Sequence, residues 1–302
     1  MDATLKIAVS GAGGTIGSSL CPALRAEGFS VIEISRRRGS GGVFWDPQSG
    51  EIEAEKLEGV EAVIHLAGES IAGRWTPEKK REILQSRTIP TSLLARASAG
   101  LRQKPRAFIC ASATGYYGPR PCGQCGEDAP EGGGFLAEVC GKWERACLPA
   151  REAGIRTVFM RQGAVISRNG GMLKAMLPFF RLGLGATIGD GSQMTPWIHI
   201  GDLCAAYISA IREPRLEGPA NAASPSGASN AEISRAVAKS LGVPLLFSIP
   251  KFAAELAFGG AASELMLASQ DAPPKKLEGL GFSFSAKEIG KAVETELKIR
   301  CP

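Results

Sequence analysis

Leu5-Lys6-Ile7-Ala8-Val9-Ser10 runs straight into Gly11-Ala12-Gly13-Gly14-Thr15-Ile16-Gly17, and this junction decides the fold. An apolar strand ends in Gly-x-x-Gly-x-x-Gly and a helix begins. Glycines at 11, 14 and 17 permit a tight turn, close approach of backbone amides to a pyrophosphate, and close packing of the next helix on the sheet. The helix then offers its N-terminal amides to phosphate. In a chain with 38 glycines the spacing alone is weak evidence, so the context has to carry it. Thr15 to Glu27 reads as an amphipathic helix ended by Gly28, and Phe29 to Ile34 as a second apolar strand. Together they complete a βαβ unit.

The end of that second strand discriminates between dinucleotides. An acidic residue there binds ribose hydroxyls, whereas a cation accommodates a 2′-phosphate. Ser35 is followed by Arg36, Arg37 and Arg38, and a guanidinium suits phosphate, so NADP(H) is the expected cofactor.

Further along, short apolar strands at 62–67, 106–112 and 156–161 alternate with helices, the pattern of an α/β, Rossmann doubly wound parallel sheet. Between the second strand and Ala62 there is only a glycine-rich turn, a short Val43-Phe44-Trp45 strand and a helix-like turn, so the usual second crossover helix is lost. Thr76 caps a long helix with Pro77 at its first position. From residue 166 the pattern changes: a helix over 172–181, a glycine-rich hairpin or loop through Gly191, a strand at 197–200, Asp202 as cap of a helix over 203–212, a return strand near 220–222, and helices near 230–241 and 251–269. The expected division is a dinucleotide-binding domain over 1–165, with a later strand returning near 195–222, and a smaller substrate lobe over 166–302.

Composition bounds the rest. Of 302 residues, 44% are hydrophobic and 22% charged, which suits one large α/β core with a smaller lobe. The net charge of +5 is mild and lacks basic blocks interleaved with aromatics, so a small-molecule substrate is expected rather than nucleic acid. No apolar run reaches the roughly 18 residues of a membrane helix and no targeting segment is read, so a cytoplasmic location is expected. Eight scattered cysteines fit a reducing compartment. Cys122 and Cys125 form a Cys-x-x-Cys pair, but no second pair accompanies them, and two incidental loop thiols are expected rather than a metal site.

These residues resemble the extended, nucleotide-sugar-epimerase-like branch of the short-chain dehydrogenase/reductase superfamily. The glycine turn, His65-Leu66-Ala67-Gly68, Ser112-Ala113-Thr114 and Trp197-Ile198-His199-Ile200 with Asp202 carry the likeness. Trp45-Asp46-Pro47, Gly115-Tyr116-Tyr117-Gly118, Lys142-Trp143-Glu144 and Leu177 to Gly185 narrow it to the atypical epimerase family proteins of subfamily 39U, with their own C-terminal domain. The resemblance implies an NADP(H) site made by Gly11, Gly14, Thr15, Ile16 and Gly17, with Ser35, Arg36, Leu66, Ala67, Glu82, Arg87 and Val165. On sequence alone Glu82 and Arg87 read equally as a solvated helix face.

Reductases of this superfamily use a tyrosine to exchange a proton with the substrate oxygen and a lysine four residues on to lower its pKa. Counting about 25 residues from Ser112 leads to Leu136 and Cys140. The acid/base pair is absent, and Lys142, two residues late, is turned about 200° from the needed face. Ser112 with Tyr116 or Tyr117 is the candidate proton path, although either tyrosine would also serve as packing at the sheet edge. Glu69 is a candidate base if desolvated. Arg161 reads as a cleft-facing arginine or as an ion pair at the core edge, and His199 as a satisfied structural histidine. Two functions follow: an NADP(H)-dependent epimerase-like oxidoreductase on a small carbonyl or hydroxyl substrate, or a regulatory protein that keeps NADP(H) and has lost turnover.

Overall fold

The computed structural model describes residues 4–39, 41–119 and 125–298. β1 (Lys6–Ser10), α1 (Gly17–Ala26) and β2 (Ser30–Ser35) form the first βαβ unit, and β3 (Val43–Asp46) follows with no intervening helix. β4 (Glu51–Ile52) turns back on β3, and β5 (Ala62–His65) leads to α2 (Pro77–Gly100), where Thr76 accepts from the Lys79 amide as N-cap. β6 (Ala107–Ala113), α3 (Phe135–Arg145), α4 (Leu148–Glu152) and β7 (Arg156–Gln162) complete this half.

The strand order is β12-β7-β6-β5-β1-β2-β3-β4, with β12 (Gly218–Ala222) returning to pair beside β7. Only β4 is antiparallel. The chain leaves β1 toward β2 and β3 and then crosses back to β5 on the other side. The order therefore reverses between β1 and β5, where ligands of open α/β sheets bind. β5 and most of β1, β6 and β7 are buried, as a sheet covered on both faces requires. One apolar cluster joins Leu20, Leu24, Ile64 and Tyr207 on one face, and a second joins Leu94, Phe108, Trp143 and Phe159 on the other.

The remaining elements are β8 (Ala164–Ser167), α5 (Gly171–Arg181), β9 (Ala186–Ile188), β10 (Met194–Thr195), β11 (Trp197–His199), α6 (Ile200–Arg212), β13 (Ala228–Ser229), α7 (Asn230–Leu241), β14 (Phe247–Ile249), α8 (Lys251–Phe258), α9 (Lys275–Gly279) and α10 (Ile289–Lys298). Leu173, Phe180, Trp197, Val237 and Val293 form their own core.

Three local expectations are corrected. Residues 186–188, expected within a glycine-rich hairpin or loop, form a strand paired in parallel with β14. The helix expected over 251–269 breaks after Phe258, because Gly259 takes φ +58°, and resumes as a π-helical turn over Ala262–Met266. Asp202 lies inside the first turn of α6, with His199 at the N-cap. Its buried carboxylate accepts from the Ser285 and Ala286 amides and the Ser285 hydroxyl, tying the C-terminal segment to the start of α6.

Candidate functional site

Gly11 takes φ +73°, and a Cβ there would stand 2.9 Å from the Ala67 amide nitrogen and the Leu66 carbonyl carbon. Only glycine lets the β1 turn lie this close to the chain leaving β5. A Cβ on Gly17 would collide with the Gly11 carbonyl, so that glycine is needed for the helix to start here. Gly14 donates to Gly11, whereas the amides of Thr15, Ile16 and Gly17 have no backbone acceptor among the described residues. A Cβ on Gly13 would meet nothing within 4 Å. The turn thus presents unpaired donors and the positive end of α1 to open space, an arrangement that fits a pyrophosphate.

Ala12, Ile16, Leu66 and Val165 each pack against the first core cluster. A Cβ on Gly170 would run into the Thr15 side chain, so the loop before α5 rests directly on the glycine turn. At the end of β2, the Ser35 hydroxyl accepts from the Arg37 amide. Arg38 is engaged by Glu51 and lies over the Phe44 ring, while Arg36 is exposed with no ion pair among the described residues.

Arg87 and Glu82 part company, being five residues apart on a helix and hence about 140° apart around it. Arg87 is turned inward: it donates to the Glu69 and Ile83 carbonyls, lies over the Trp143 ring and packs against Gly68. Burial lowers its pKa. Glu82 points outward, 3.7 Å from Lys79. The structure therefore brings Arg87 to the loop after β5 and leaves Glu82 on the solvent face.

Leu136 and Cys140 are where the missing acid/base pair would be. A Cβ on Gly115 would stand 3.2 Å from Leu136 Cβ and 3.8 Å from Cys140 Sγ, so both face the turn after β6. Burial pushes the Cys140 thiol up to about 12. Lys142 is exposed and paired with Glu138. Glu69 is half exposed, and its hydrogen bond from Lys79 holds it below the usual carboxylate range, so it is not a desolvated base.

The three candidates for proton transfer differ sharply. Ser112 is buried and donates to Glu144 Oε1 at 2.7 Å. Tyr117 is fully buried: its hydroxyl accepts from Arg161 and donates to Asn221 Oδ1 at 2.6 Å, and burial pushes it up to about 12. Tyr116 is half-buried, its ring lies 3.5 Å from the Arg161 guanidinium, and its hydroxyl has no hydrogen-bond partner among the described residues.

Arg161 is the ion pair at the core edge. It holds both Glu144 oxygens at 2.8 Å and is 3% exposed. Burial works against its charge, but Glu144 outweighs burial and the net shift is upward. Glu144 falls on the same helix face as Leu136 and Cys140, two turns and one turn further along. Its role was not read from the sequence, although its i+8 and i+4 spacing to them was available. His199 is a satisfied residue, accepting from the Gly201 amide and paired with Glu296 at 3.1 Å.

Another residue missed by sequence reasoning is Glu264. From the π-helical turn its two carboxylate oxygens accept from the Phe135 and Leu136 amides at 2.9 and 2.8 Å, capping α3. Gly134, at φ +98°, leaves room for it.

Cys122 lies outside the described residues, so the Cys-x-x-Cys pair is not seen whole. The six described cysteines are buried and in no disulfide. Among the described residues no cluster of three or more His, Cys, Asp or Glu could hold a metal, and no helix is long and apolar enough to cross a membrane.

A glycine turn and an apolar strand end meeting at the reversal of a parallel sheet define a dinucleotide-binding protein of the extended short-chain dehydrogenase type. Residues 7–222 match the NAD dependent epimerase/dehydratase family and residues 249–296 a domain of unknown function, DUF1731. The chain belongs to this epimerase/dehydratase family, in the branch of epimerase family proteins that carries that C-terminal domain. It is 40% identical to the epimerase family protein MT2273 of Mycobacterium tuberculosis over 296 residues, covering 96% of this chain and 97% of that one. With human epimerase family protein SDR39U1 the identity is 35% over 295 residues, covering 96% and 99%. The crystal structure of human SDR39U1 (isoform 2) with NADPH superposes with a TM-score of 0.90 at 33% identity, covering 98% of this chain and all of that one. A nucleoside-diphosphate sugar epimerase from Corynebacterium glutamicum superposes with a TM-score of 0.80 at 35% identity, covering 98% of this chain and 58% of that one.

Proposed function

We propose that this chain binds NADP(H) and acts as an epimerase-like oxidoreductase on a small carbonyl or hydroxyl compound. The observation that carries the reading is the set of uncommitted amides at Thr15, Ile16 and Gly17, beside the Leu66-Ala67 backbone at the sheet reversal. These amides would hold the pyrophosphate and Arg36 the 2′-phosphate, with Ser35 beside it; Leu66, Ala67 and Val165 would flank the dinucleotide. Arg87, desolvated against Gly68 and Trp143, would supply positive charge beside the loop after β5. The NADPH in the human relative's structure agrees with this choice of cofactor. When bound, the nicotinamide supplies or accepts the hydride.

The protein's part is then to orient the substrate and to move one proton at its oxygen. Of the three candidates, Tyr116 is the one whose hydroxyl is uncommitted among the described residues. Arg161, under its ring, fixes its position, and Ser112 and Tyr117 support Arg161 and Glu144.

The packing of Leu136 and Cys140 against the turn after β6 favours a second reading, a protein that binds NADP(H) without turnover. A screen for NADPH oxidation across carbonyl compounds and nucleotide sugars separates the two. On any substrate found, Tyr116→Phe should lower turnover about 10²- to 10⁴-fold with NADPH affinity retained, and Tyr117→Phe should act mainly on stability. Tight NADPH binding with no oxidation of any compound would leave the second reading.

A further inference from the structure

The C-terminal domain is fastened at two places that do not involve the turn after β6: Asp202 holds the Ser285 and Ala286 amides, and Glu296 pairs with His199 and accepts from the Arg168 amide. Residues 262–273 of the same domain add a further set of contacts, more than tethering requires. At one end the Glu264 carboxylate caps α3 through the Phe135 and Leu136 amides. At the other, four consecutive residues surround the turn after β6. The Gln270 side-chain amide donates to the Gly118 carbonyl at 2.7 Å, and the Asp271 carbonyl accepts from the Cys125 amide at 2.6 Å. Ala272 shares an apolar cluster with Tyr117 and Cys125. The Pro273 carbonyl accepts from the Asn221 side chain, whose oxygen takes the Tyr117 hydroxyl. Between the two ends Met194 holds the segment, donating to the Ser269 hydroxyl and accepting from the Gln270 amide.

This turn carries Tyr116. Its hydroxyl has no hydrogen-bond partner among the described residues, so the ring is placed by its backbone and by the Arg161 guanidinium beneath it. The backbone has three ties: the Gly118 amide closes the turn on Gly115, the Gly132 amide donates to the Tyr116 carbonyl, and Gln270 holds Gly118. Arg161 is fixed by Glu144 on α3, the helix whose start Glu264 caps. We infer that residues 262–273 are a positioning device for Tyr116, in which Gln270 fixes the turn that carries the ring and Glu264 fixes the helix that holds Arg161 under it. Both are positioning residues, and their effect on turnover rests on Tyr116 being the proton donor of the proposed function. A misplacement of about 1 Å at a reacting group costs roughly 100-fold in rate.

The chain has three tyrosines, so labelling with meta-fluorotyrosine gives three fluorine NMR signals, and Tyr116→Phe and Tyr207→Phe assign the two that matter. Gln270→Glu keeps the size of the side chain and turns its donor into an acceptor facing the Gly118 carbonyl; Gln270→Met removes the donor without adding charge. Both should shift and broaden the Tyr116 signal and leave that of Tyr207, in the first core cluster, in place. Glu264→Gln, which keeps one acceptor oxygen, should do so to a smaller extent. Should Gln270→Glu fail to fold, Gln270→Met reads the same tie. On any substrate the wild type turns over, Gln270→Met should lower kcat about 10- to 100-fold with calorimetric NADPH affinity unchanged, and should cost nothing more in a Tyr116→Phe background. A Tyr116 signal unmoved in the Gln270 variants, or Tyr116 and Tyr207 moving together as in a general loosening, overturns the inference. So does an equal loss of turnover in the Tyr116→Phe background. A displaced Tyr116 signal with normal turnover of Tyr116→Phe supports the positioning and removes Tyr116 as the donor.

Discussion

Replacing Glu144 by alanine strands Arg161 in the core, and the size of that effect follows from the geometry. The guanidinium is 3% exposed and gives two hydrogen bonds of 2.8 Å to the carboxylate. The Ser112 hydroxyl adds a third at 2.7 Å. Tyr117 and the Glu127 carbonyl occupy the other side of Arg161, and the Glu127 carboxylate is engaged by the Asn221 and Lys276 amides. Removing one partner of such a buried pair costs about 3–5 kcal/mol, a large part of the roughly 5–15 kcal/mol that holds a domain folded. Glu144→Gln, which keeps an acceptor for Ser112, should lie between alanine and wild type. The double change Glu144→Leu with Arg161→Met removes both charges and should recover most of the loss. Urea denaturation followed by circular dichroism, comparing midpoints at constant slope, measures all three. A loss below about 1 kcal/mol for Glu144→Ala would mean that the pair behaves as a solvent-screened surface contact, and the reasoning would fail.

Burial alone lowers the His65 pKa to about 3, whereas in the unfolded chain it titrates near 6.5. The folded state therefore resists protonation: its contribution is complete above about pH 6.5 and declines as pH falls toward about 3. Denaturation midpoints at pH 7.5 and 5 should show a wild-type loss that His65→Phe lacks, and parallel pH slopes would refute this. Glu264→Ala should leave the Phe135 and Leu136 amides uncapped, costing about 0.5–2 kcal/mol and speeding hydrogen exchange over residues 134–138. Unchanged exchange there would argue against the cap.

Much of the sheet is legible in the sequence because its signals are local. Glycine spacing, apolar runs and a Thr-Pro helix start are sufficient for β1 to β3 and β5 to β7, though not for the two-residue β4, and the counting that puts Leu136 and Cys140 at the acid/base positions agrees with their approach to Gly115. What escapes are contacts whose partners are far apart in the chain. Glu264 meets Leu136 across 128 residues, and Asp202 meets Ser285 across 83. No periodicity joins such pairs. Asp202 also has the residue type of an N-cap at a helix start, so local logic misassigns it; its carboxylate is drawn instead to two amides of the C-terminal segment. For Arg161 the sequence left cleft and ion pair open, and only the meeting of β7 with α3 decides between them. The tyrosines are separated by environment in the same way: adjacent in sequence, one is fully buried with its hydroxyl bonded on both sides, and the other has its hydroxyl uncommitted.

In the proposed dinucleotide site Arg36 would read the 2′-phosphate. Calorimetric titration of NADPH and NADH into the wild type and Arg36→Ala tests it most directly. A charge-assisted phosphate contact is worth about 1.5–3 kcal/mol, so the wild type should bind NADPH roughly 10- to 100-fold more tightly than NADH, and Arg36→Ala should lose most of that preference while leaving NADH affinity nearly unchanged. Equal affinity of the wild type for the two dinucleotides, or an equal loss for both in the variant, would contradict it.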